Sequence, residues 1–590
     1  MPTPDTSSPT PGADALLAAL LPPGGGALLS FAMTGTEPSR LILAGLAATL
    51  AKDPGRLRAF LDDAYEKQFA LWRSVLDAPS GSRADAEMPE QDPRFRDPAW
   101  RDIPWFAYLR HQHALWQAFA SALPGALELS DDQRQRLAFF LAQWIEAISP
   151  GNQFASNPTA LRRAYATGGE SVARGAEQLR SDLARGRITM SDSAAFRVGV
   201  HLAVTPGHVI HESPIAQLIR YKPSGDRVRG RPLLIVPPFI NRYYILDLRP
   251  ENSFVRYAVS QGFDVFIVSW RDAGPDLSDA GWDDYLREGV LDPLAVALQL
   301  SGSRRAAVLG FCIGGTLAAA AAALDASAGR SRIASLTLLA TLLDFGNPGD
   351  IGHYIDARFV EQCEHEFGEG GIVPGQRIAT AFSSLRAREL VWHFIQHNYF
   401  MGETPPPFDL LHWNGDSANV PGRLYCQLLR RLYLENRLHD PGGVDTAHGA
   451  IDLHAIDAPV YLLAAREDHI VPWRSAFASA SLLSRVERFV LTESGHVAGI
   501  VNPVGGRRRG FWSGAPPEAT AQEWMDVAQH ASGSWWQDWA GWQARHAGRW
   551  RTAPASPGSA QHPVIEPAPG RYVLEHSEPA RGAGHNSGTQ

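Results

Sequence analysis

Cysteine is scarce in this sequence: Cys312, Cys363 and Cys426 are the only three among 590 residues. No spacing among them resembles a zinc site or a disulfide framework, which points to a reducing compartment and to no bound metal. Basic excess is lacking too. The formal net charge is −8, so no nucleic-acid partner is expected. Long apolar runs are also missing. The most apolar stretch, Thr316 to Leu324, is cut by Asp325 and falls far short of the roughly 20 residues that cross a bilayer. The N-terminus has no basic segment before its short apolar run. It reads as a disordered leader over residues 1–30, not as a signal peptide.

What is present has the balance of a globular protein: 45% of residues are hydrophobic and 20% charged. The length predicts more than one domain. The 17 Trp imply either a thick core or surfaces that meet apolar material. Over residues 31–199 the pattern is helical. Leu57 to Leu76, Phe106 to Leu123 and Arg134 to Ile148 repeat apolar residues at three- and four-residue steps, with Asp131 and Asp132 as caps for the third. No catalytic constellation is visible there.

From about residue 200 short apolar runs appear between turn residues: Leu233 to Val236, Val265 to Val268, Ala306 to Leu309, Ile333 to Leu339, Val460 to Ala464 and Arg488 to Leu491. Helix-like stretches separate most of them, which predicts a parallel sheet covered on both faces over residues 200–550. Residues 345–450, rich in Trp, His, Phe and Tyr, interrupt the alternation and read as an inserted cap. Residues 551–590, rich in Pro, Gly and Ser, read as a disordered tail.

The strongest local signal is Gly310-Phe311-Cys312-Ile313-Gly314-Gly315. It follows an apolar run and precedes an Ala-rich helical run, the strand–turn–helix context of a nucleophile elbow. Small flanking residues allow the strained turn, and the sulfur falls at a helix N-terminus. Taken alone, Cys312 also has a bland reading as an inert buried thiol. An acid is expected after a late strand, where Asp468 stands with Glu467 as its competitor. A histidine is expected after the next strand, where His496 stands with His469 as its competitor. Each residue alone has a bland reading as a cap, turn or surface group. Three correct types in the correct order at strand ends are far less easily dismissed.

The chemistry follows. His496 takes the thiol proton, since a free cysteine with a pKa of about 8.5 is mostly protonated at neutral pH. Asp468 orients the imidazole. The backbone N–H of Ile313 is one oxyanion donor. The loop Pro237-Pro238-Phe239-Ile240-Asn241 supplies the other from Phe239 or Ile240, because prolines have no N–H; Ile240 is taken as the candidate. A thiol nucleophile favours a thioester substrate, because the acyl group stays activated for transfer to an alcohol.

These motifs resemble those of polyhydroxyalkanoate synthases over roughly residues 85–510. The matching blocks are Gly310 to Gly315, Glu467 to Trp473, Ser494-Gly495-His496 with Asn502-Pro503, Pro237 to Asp247 and His412 to Asp416. In the helical half they are Asp97 to Trp100, Ser156-Asn157-Pro158 and Thr167 to Glu170. The resemblance implies an α/β-hydrolase fold with an inserted cap, preceded by a mainly helical N-terminal domain. It implies an acyltransferase that polymerises 3-hydroxyacyl-CoA into a growing polyester chain with release of CoA and no cofactor. It further implies a homodimer at the surface of cytoplasmic polyester granules, among granule-associated proteins. The length and Trp282-Asp283-Asp284-Tyr285 resemble the single-subunit type that acts on short chains such as 3-hydroxybutyryl-CoA. Two departures leave the chain-length preference open: Ala273 after Trp270-Arg271-Asp272, where the family often has Asn-Pro after Trp-Arg, and Phe239, where some relatives have Cys. Two other classes stay in play: a cysteine-dependent thioesterase or polyester depolymerase of the same fold, and a granule-coat scaffold with a vestigial site. Asp468 either only orients His496 or acts on the 3-hydroxyl during elongation, directly or through His496; the resemblance weights a mixed role towards elongation.

Overall fold

The computed structural model describes residues 37–76, 92–192, 194–505, 509–515 and 520–577. The expected leader over residues 1–30 lies outside them. The chain forms two units, one running up to Ile188 and joined by Ala387–Thr404, the other formed by Thr189–Arg386 and the residues from Pro405 on.

The first unit is helical: α1 (Glu37–Lys52), α2 (Pro54–Leu76), α3 (Pro104–Ala126), α4 (Asp131–Ala147), α5 (Pro158–Ala166) and α6 (Glu170–Arg185). Leu41, Ile42, Phe119, Leu123, Leu137, Leu141 and Ile145 form its core, spaced as the apolar steps require. The start of α4 differs from the expected Asp131 and Asp132 caps. Ser130 is the N-cap, its hydroxyl accepting from Gln133 N while Gln133 Oε1 accepts from Ser130 N. The two aspartates follow in the first turn, where the helix dipole favours them.

The expected cap over 345–450 is not one block, because Ala387–Thr404 belongs to the helical unit. Polar contacts explain this. Glu146 pairs with both Arg94 and Arg388, and the Tyr399 hydroxyl donates to Asp182 at 2.8 Å. Gly175 is required here, since a Cβ would lie 1.9 Å from the Tyr399 carbonyl oxygen.

The second unit is built on a sheet of eleven strands among the described residues. They are β1 (Gly207–Glu212), β2 (Ala216–Tyr221), β3 (Leu233–Val236), β4 (Val265–Trp270), β5 (Ala306–Phe311), β6 (Ile333–Leu339), β7 (Val460–Ala465), β8 (Val486–Thr492), β9 (Gly510–Gly514), β10 (Gln529–Ser532) and β11 (Glu566–Pro567). Their order is β10-β9-β8-β7-β6-β5-β3-β4-β2-β1-β11. The run from β4 to β8 is parallel and contains all six strands expected from the apolar runs. Both flanks are antiparallel.

Alternation along the central strands sorts side chains between two cores. Leu234, Val236, Ala306 and Val308 enter one; Leu233, Ile235, Ala307, Leu309 and Phe311 enter the other. The first face is covered by α7 (Ile313–Ser327), apolar all round and buried throughout its Ala-rich length. Asp325, which interrupts that apolar run, is buried but paired with Arg332. The second face is covered by α8 (Trp535–His546), whose Trp535, Trp536, Trp539 and Trp542 are all buried. These indoles are core residues, each removing about 150–250 Å² from water.

The reading of 551–590 as a disordered tail is corrected over 551–577. Trp550–Thr552 pairs with Arg227–Arg229, β11 pairs with β1, and Tyr572 and Val573 are buried. Main-chain pairing and side-chain anchors order a segment whose composition reads as loop. Residues 578–590 lie outside the described residues.

Candidate active site

Strand order positions the site. β3 is followed by β4 on one side and by β5 on the other. The loops leaving the C-terminal ends of β3 and β5 therefore diverge, and such a switch point opens a crevice. Cys312 follows β5 there. Its φ of 53° and ψ of −127° are unusual for a residue with a Cβ. The turn is held by Cys312 N donating to Leu339 O at 2.9 Å and by Gly315 N donating to Cys312 O at 2.8 Å.

The flanking glycines have steric causes. A Cβ on Gly310 would lie 2.4 Å from Gly315 Cα. One on Gly314 would lie 2.4 Å from the carbonyl oxygens of Val236 and Pro237, and one on Gly315 would lie 2.0 Å from Thr341 Oγ1. The elbow is therefore pressed against the loop that leaves β3. Cys312 also precedes the first turn of α7, where backbone N–H groups lack intrahelical acceptors and the dipole favours negative charge. The Ile313 N–H is the first of these donors.

Asp468 follows β7 and is buried, whereas Glu467 beside it is exposed. Asp468 Oδ1 accepts from Ile470 N and Val471 N, both at 2.8 Å. That fixes the carboxylate and leaves Oδ2 for His496, whose Nδ1–H donates to it at 2.7 Å. His496 follows β8, is buried, and stacks on Phe311 with ring centroids 5.3 Å apart. The Cys312 sulfur lies near enough to act electrostatically on the same imidazole, and with Nδ1 on Asp468 the other ring nitrogen is left free of that carboxylate. Burial opposes charge on this ring, but the Asp468 carboxylate and then the Cys312 sulfur outweigh it and raise its pKa to about 10. The ring is thus prepared to hold the thiol proton.

The competing residues are differently placed. His469 is half-buried, and burial followed by the nearby Arg386 lowers its pKa to about 4. Cys363 and Cys426 are buried, and burial pushes their thiols up to about 11 and about 12. Among the described residues no group of three or more His, Cys, Asp or Glu side chains is placed to hold a metal ion.

The loop after β3 is held from several sides. Trp270 Nε1 donates to Pro237 O at 2.8 Å. The Ile240 carbonyl accepts from Ala418 N at 3.3 Å, and Asn241 pairs with Ser417. Phe239 is buried and packs edge-on against Trp270 and Tyr285, so its ring fills core. The blocks around residues 237–247 and 412–416 meet: Trp413 Nε1 donates to Arg242 O and the Tyr244 hydroxyl to Asp416, both at 2.7 Å.

Residues 91–258 match the family described as the poly-beta-hydroxybutyrate polymerase (PhaC) N-terminus, and residues 232–503 match the alpha/beta hydrolase fold. A poly(3-hydroxyalkanoate) polymerase subunit PhaC from Cupriavidus necator is 44% identical over 520 residues, covering 86% of this chain and 87% of that protein. The chain belongs to the poly(3-hydroxyalkanoate) polymerase family. The poly(3-hydroxyalkanoate) polymerase of Methylorubrum extorquens is 36% identical, covering 94% of this chain and 92% of its own. Among solved structures, a thermophilic esterase from Thermogutta terrifontis aligns at 18% identity with a TM-score of 0.28, over 50% of this chain and 91% of its own.

One neighbour of Cys312 in this polymerase was not singled out from sequence. Tyr433, from the inserted region, packs against Phe345 and lies close enough to Cys312 for the sulfur to add to the effect of burial in raising its phenol pKa. An aromatic-rich insertion signals a cover over the site, but not which of its rings stands near Cys312. Among the described residues no helix of the polymerase is long and apolar enough to cross a membrane.

Proposed function

We propose that this polymerase carries its acyl chain on Cys312 as a thioester, with His496 as the proton carrier. The observation that carries the reading is the placing of Asp468, His496 and Cys312 together at the ends of the central strands, with His496 bonded to Asp468 and near the Cys312 sulfur. The thiol proton passes to His496 as the sulfur attacks the thioester carbonyl of 3-hydroxyacyl-CoA. The carbon–sulfur bond to CoA breaks, and His496 returns the proton to the departing thiolate. Ile313 N–H, with Ile240 N–H as the candidate second donor, faces the oxyanion formed on the way. The 3-hydroxyl of an incoming 3-hydroxyacyl-CoA then attacks the Cys312 thioester while His496 removes its proton. The new ester bond forms, the bond to the Cys312 sulfur breaks, and His496 returns the proton to that sulfur. The sulfur next attacks the CoA thioester of the lengthened chain and releases CoA. CoA arrives with the substrate and leaves as product, so the scheme needs no cofactor.

Geometry favours an orienting role for Asp468. Its side chain is fully buried. Both oxygens are engaged, Oδ1 by two backbone N–H groups and Oδ2 by His496. A substrate hydroxyl meets the carboxylate only through the imidazole. The single-subunit resemblance supports 3-hydroxybutyryl-CoA as substrate, and a homodimer at the surface of cytoplasmic polyester granules. Incubation with 3-hydroxybutyryl-CoA tests the reading: insoluble polyester and CoA are expected. Free 3-hydroxybutyrate in their place would make this a hydrolase.

A further inference from the structure

The last described residues form a strap across the loops that line the switch point. Arg571 pairs with Glu212 and Glu566. The Tyr572 hydroxyl donates to Ser213 O at 2.9 Å, and the guanidinium groups of Arg271 and Arg571 lie over its ring. From there the chain runs over Arg242, two residues after Ile240. Arg242 is 2% exposed. Its guanidinium donates to Tyr572 O at 3.3 Å, to Glu575 O at 2.8 Å and to His576 Nδ1 at 2.9 Å. Asp416 and Asp272 lie 3.5 and 3.6 Å from it.

The strap ends in a second clasp. Ser577 N donates to Asp272 Oδ2 at 2.7 Å, and Asn419 Nδ2 donates to Ser577 O at 3.0 Å. Asp272 Oδ1 in turn accepts from Asn419 N at 2.6 Å. The adjacent Ala418 N donates to the Ile240 carbonyl, and Asn241 pairs with Ser417. Three segments far apart in sequence, 240–242, 272–273 and 416–419, are therefore closed by a fourth, 572–577.

We infer that Tyr572–Ser577 is a positioning element for catalysis, holding the Ile240–Arg242 loop in register with the elbow at Cys312. A buried guanidinium must keep its acceptors. Without the strap, Arg242 loses two carbonyls and an imidazole. It then moves towards solvent and takes the adjoining Ile240 peptide with it. The Gly314 contact with the Val236 and Pro237 carbonyls limits movement at the near end of the loop, so the shift falls at its far end, where the candidate donor stands. A misplaced donor weakens the transition state and not ground-state binding. The inference rests on the Cys312 reading.

The test compares a chain ending at Gly570 with one ending at Ser577. Three quantities are read: kcat and KM for CoA release from 3-hydroxybutyryl-CoA, the rate of Cys312 alkylation by iodoacetamide, and the circular dichroism melt. Removing the strap should lower kcat by roughly 10–100-fold, leaving KM within about twofold and alkylation unchanged. A chain ending at Gly570 that keeps its kcat, or loses it through KM, overturns the inference. If that chain fails to fold, full-length Ser577→Pro decides. It removes the N–H on Asp272 and should lower kcat several-fold at constant KM; an unaltered kcat overturns the inference. Cys312→Ala in the chain ending at Ser577 separates the two readings, because CoA release surviving there removes the Cys312 mechanism itself.

Discussion

The rim of the sheet and the inserted region place the same residue type in opposite conditions. Cys312 stands at a strand end, half-buried, before a fifteen-residue helix and near the His496 imidazole. Cys363 and Cys426 stand on helices of the insertion, buried, with burial raising their thiol pKa values. Histidine divides in the same way at the rim itself. His496 is held on a carboxylate and raised to about 10, while His469, adjacent to that carboxylate in sequence, is lowered to about 4. The acids divide as well, Asp468 being buried and fully engaged and Glu467 exposed. Residue type supplies the potential for chemistry. Position at the C-terminal edge of the parallel strands sets the conditions that separate one copy from another.

The largest expected effect breaks the cysteine comparison. Cys312→Ala should lower CoA release by about 10⁶-fold, as loss of a nucleophile in a coupled set does, with the melting temperature little changed. Cys363→Ala and Cys426→Ala should remain active and lose stability instead, because each leaves a small cavity in a buried core. Substrate radiolabel recovered on Cys363 would reverse the assignment.

The histidines come next. His496→Ala should lower CoA release by about 10⁴-fold or more, since it removes the proton carrier. His469→Ala should retain most of the activity. Equal losses in the two variants would mean that both rings handle the reacting proton.

Asp468→Asn should cost about 10²–10⁴-fold, less than loss of the imidazole, because His496 stays near the sulfur but loses its orienting partner. The loss should fall on the first CoA release and on chain extension alike. A single-turnover experiment that follows CoA and acyl-enzyme separately checks this. Normal first release with slow extension would show instead that Asp468 serves the incoming hydroxyl.

The rim was legible in the sequence for a physical reason. Five of the six central strands are buried along their whole length and the sixth over Phe489–Thr492, so they read as short, mostly apolar runs, and Cys312, Asp468 and His496 stand just after three of them. The flanking strands lack that signature: Gln529–Ser532 carries little apolar character and is ordered through its partner β9. The C-terminal strap was illegible for a related reason. Its order comes from backbone carbonyls reaching Arg242 and a backbone N–H reaching Asp272, and composition carries no trace of such bonds. The division of the insertion at Ala387–Thr404 depends on Glu146 and Asp182, more than two hundred residues away in the chain.

The smallest expected effect sharpens the histidine comparison without touching turnover. Burial lowers the His469 pKa to about 4, with the Arg386 charge adding to it and Asp468 opposing. The unfolded chain has an ordinary histidine, near 6.5. Between those values the unfolded state binds a proton that the folded state refuses. The contribution of His469 is therefore fully present above about pH 6.5 and lost as pH falls towards 4. At about 1.36 kcal/mol per pKa unit the loss is on the order of 3 kcal/mol. His469→Gln removes the titration, so urea unfolding of the α/β unit at pH 7.5, 6.5, 5.5 and 4.5 should show the variant gaining on the parent protein as pH drops. The gain should begin near pH 6.5 and level off near 4. His496 runs in the opposite sense, its contribution being present below about pH 6.5 and lost as pH rises towards 10. A constant difference between parent and His469→Gln across this range would mean that His469 takes up its proton as readily folded as unfolded. The contrast between the two rings would then rest on hydrogen bonding to Asp468 alone.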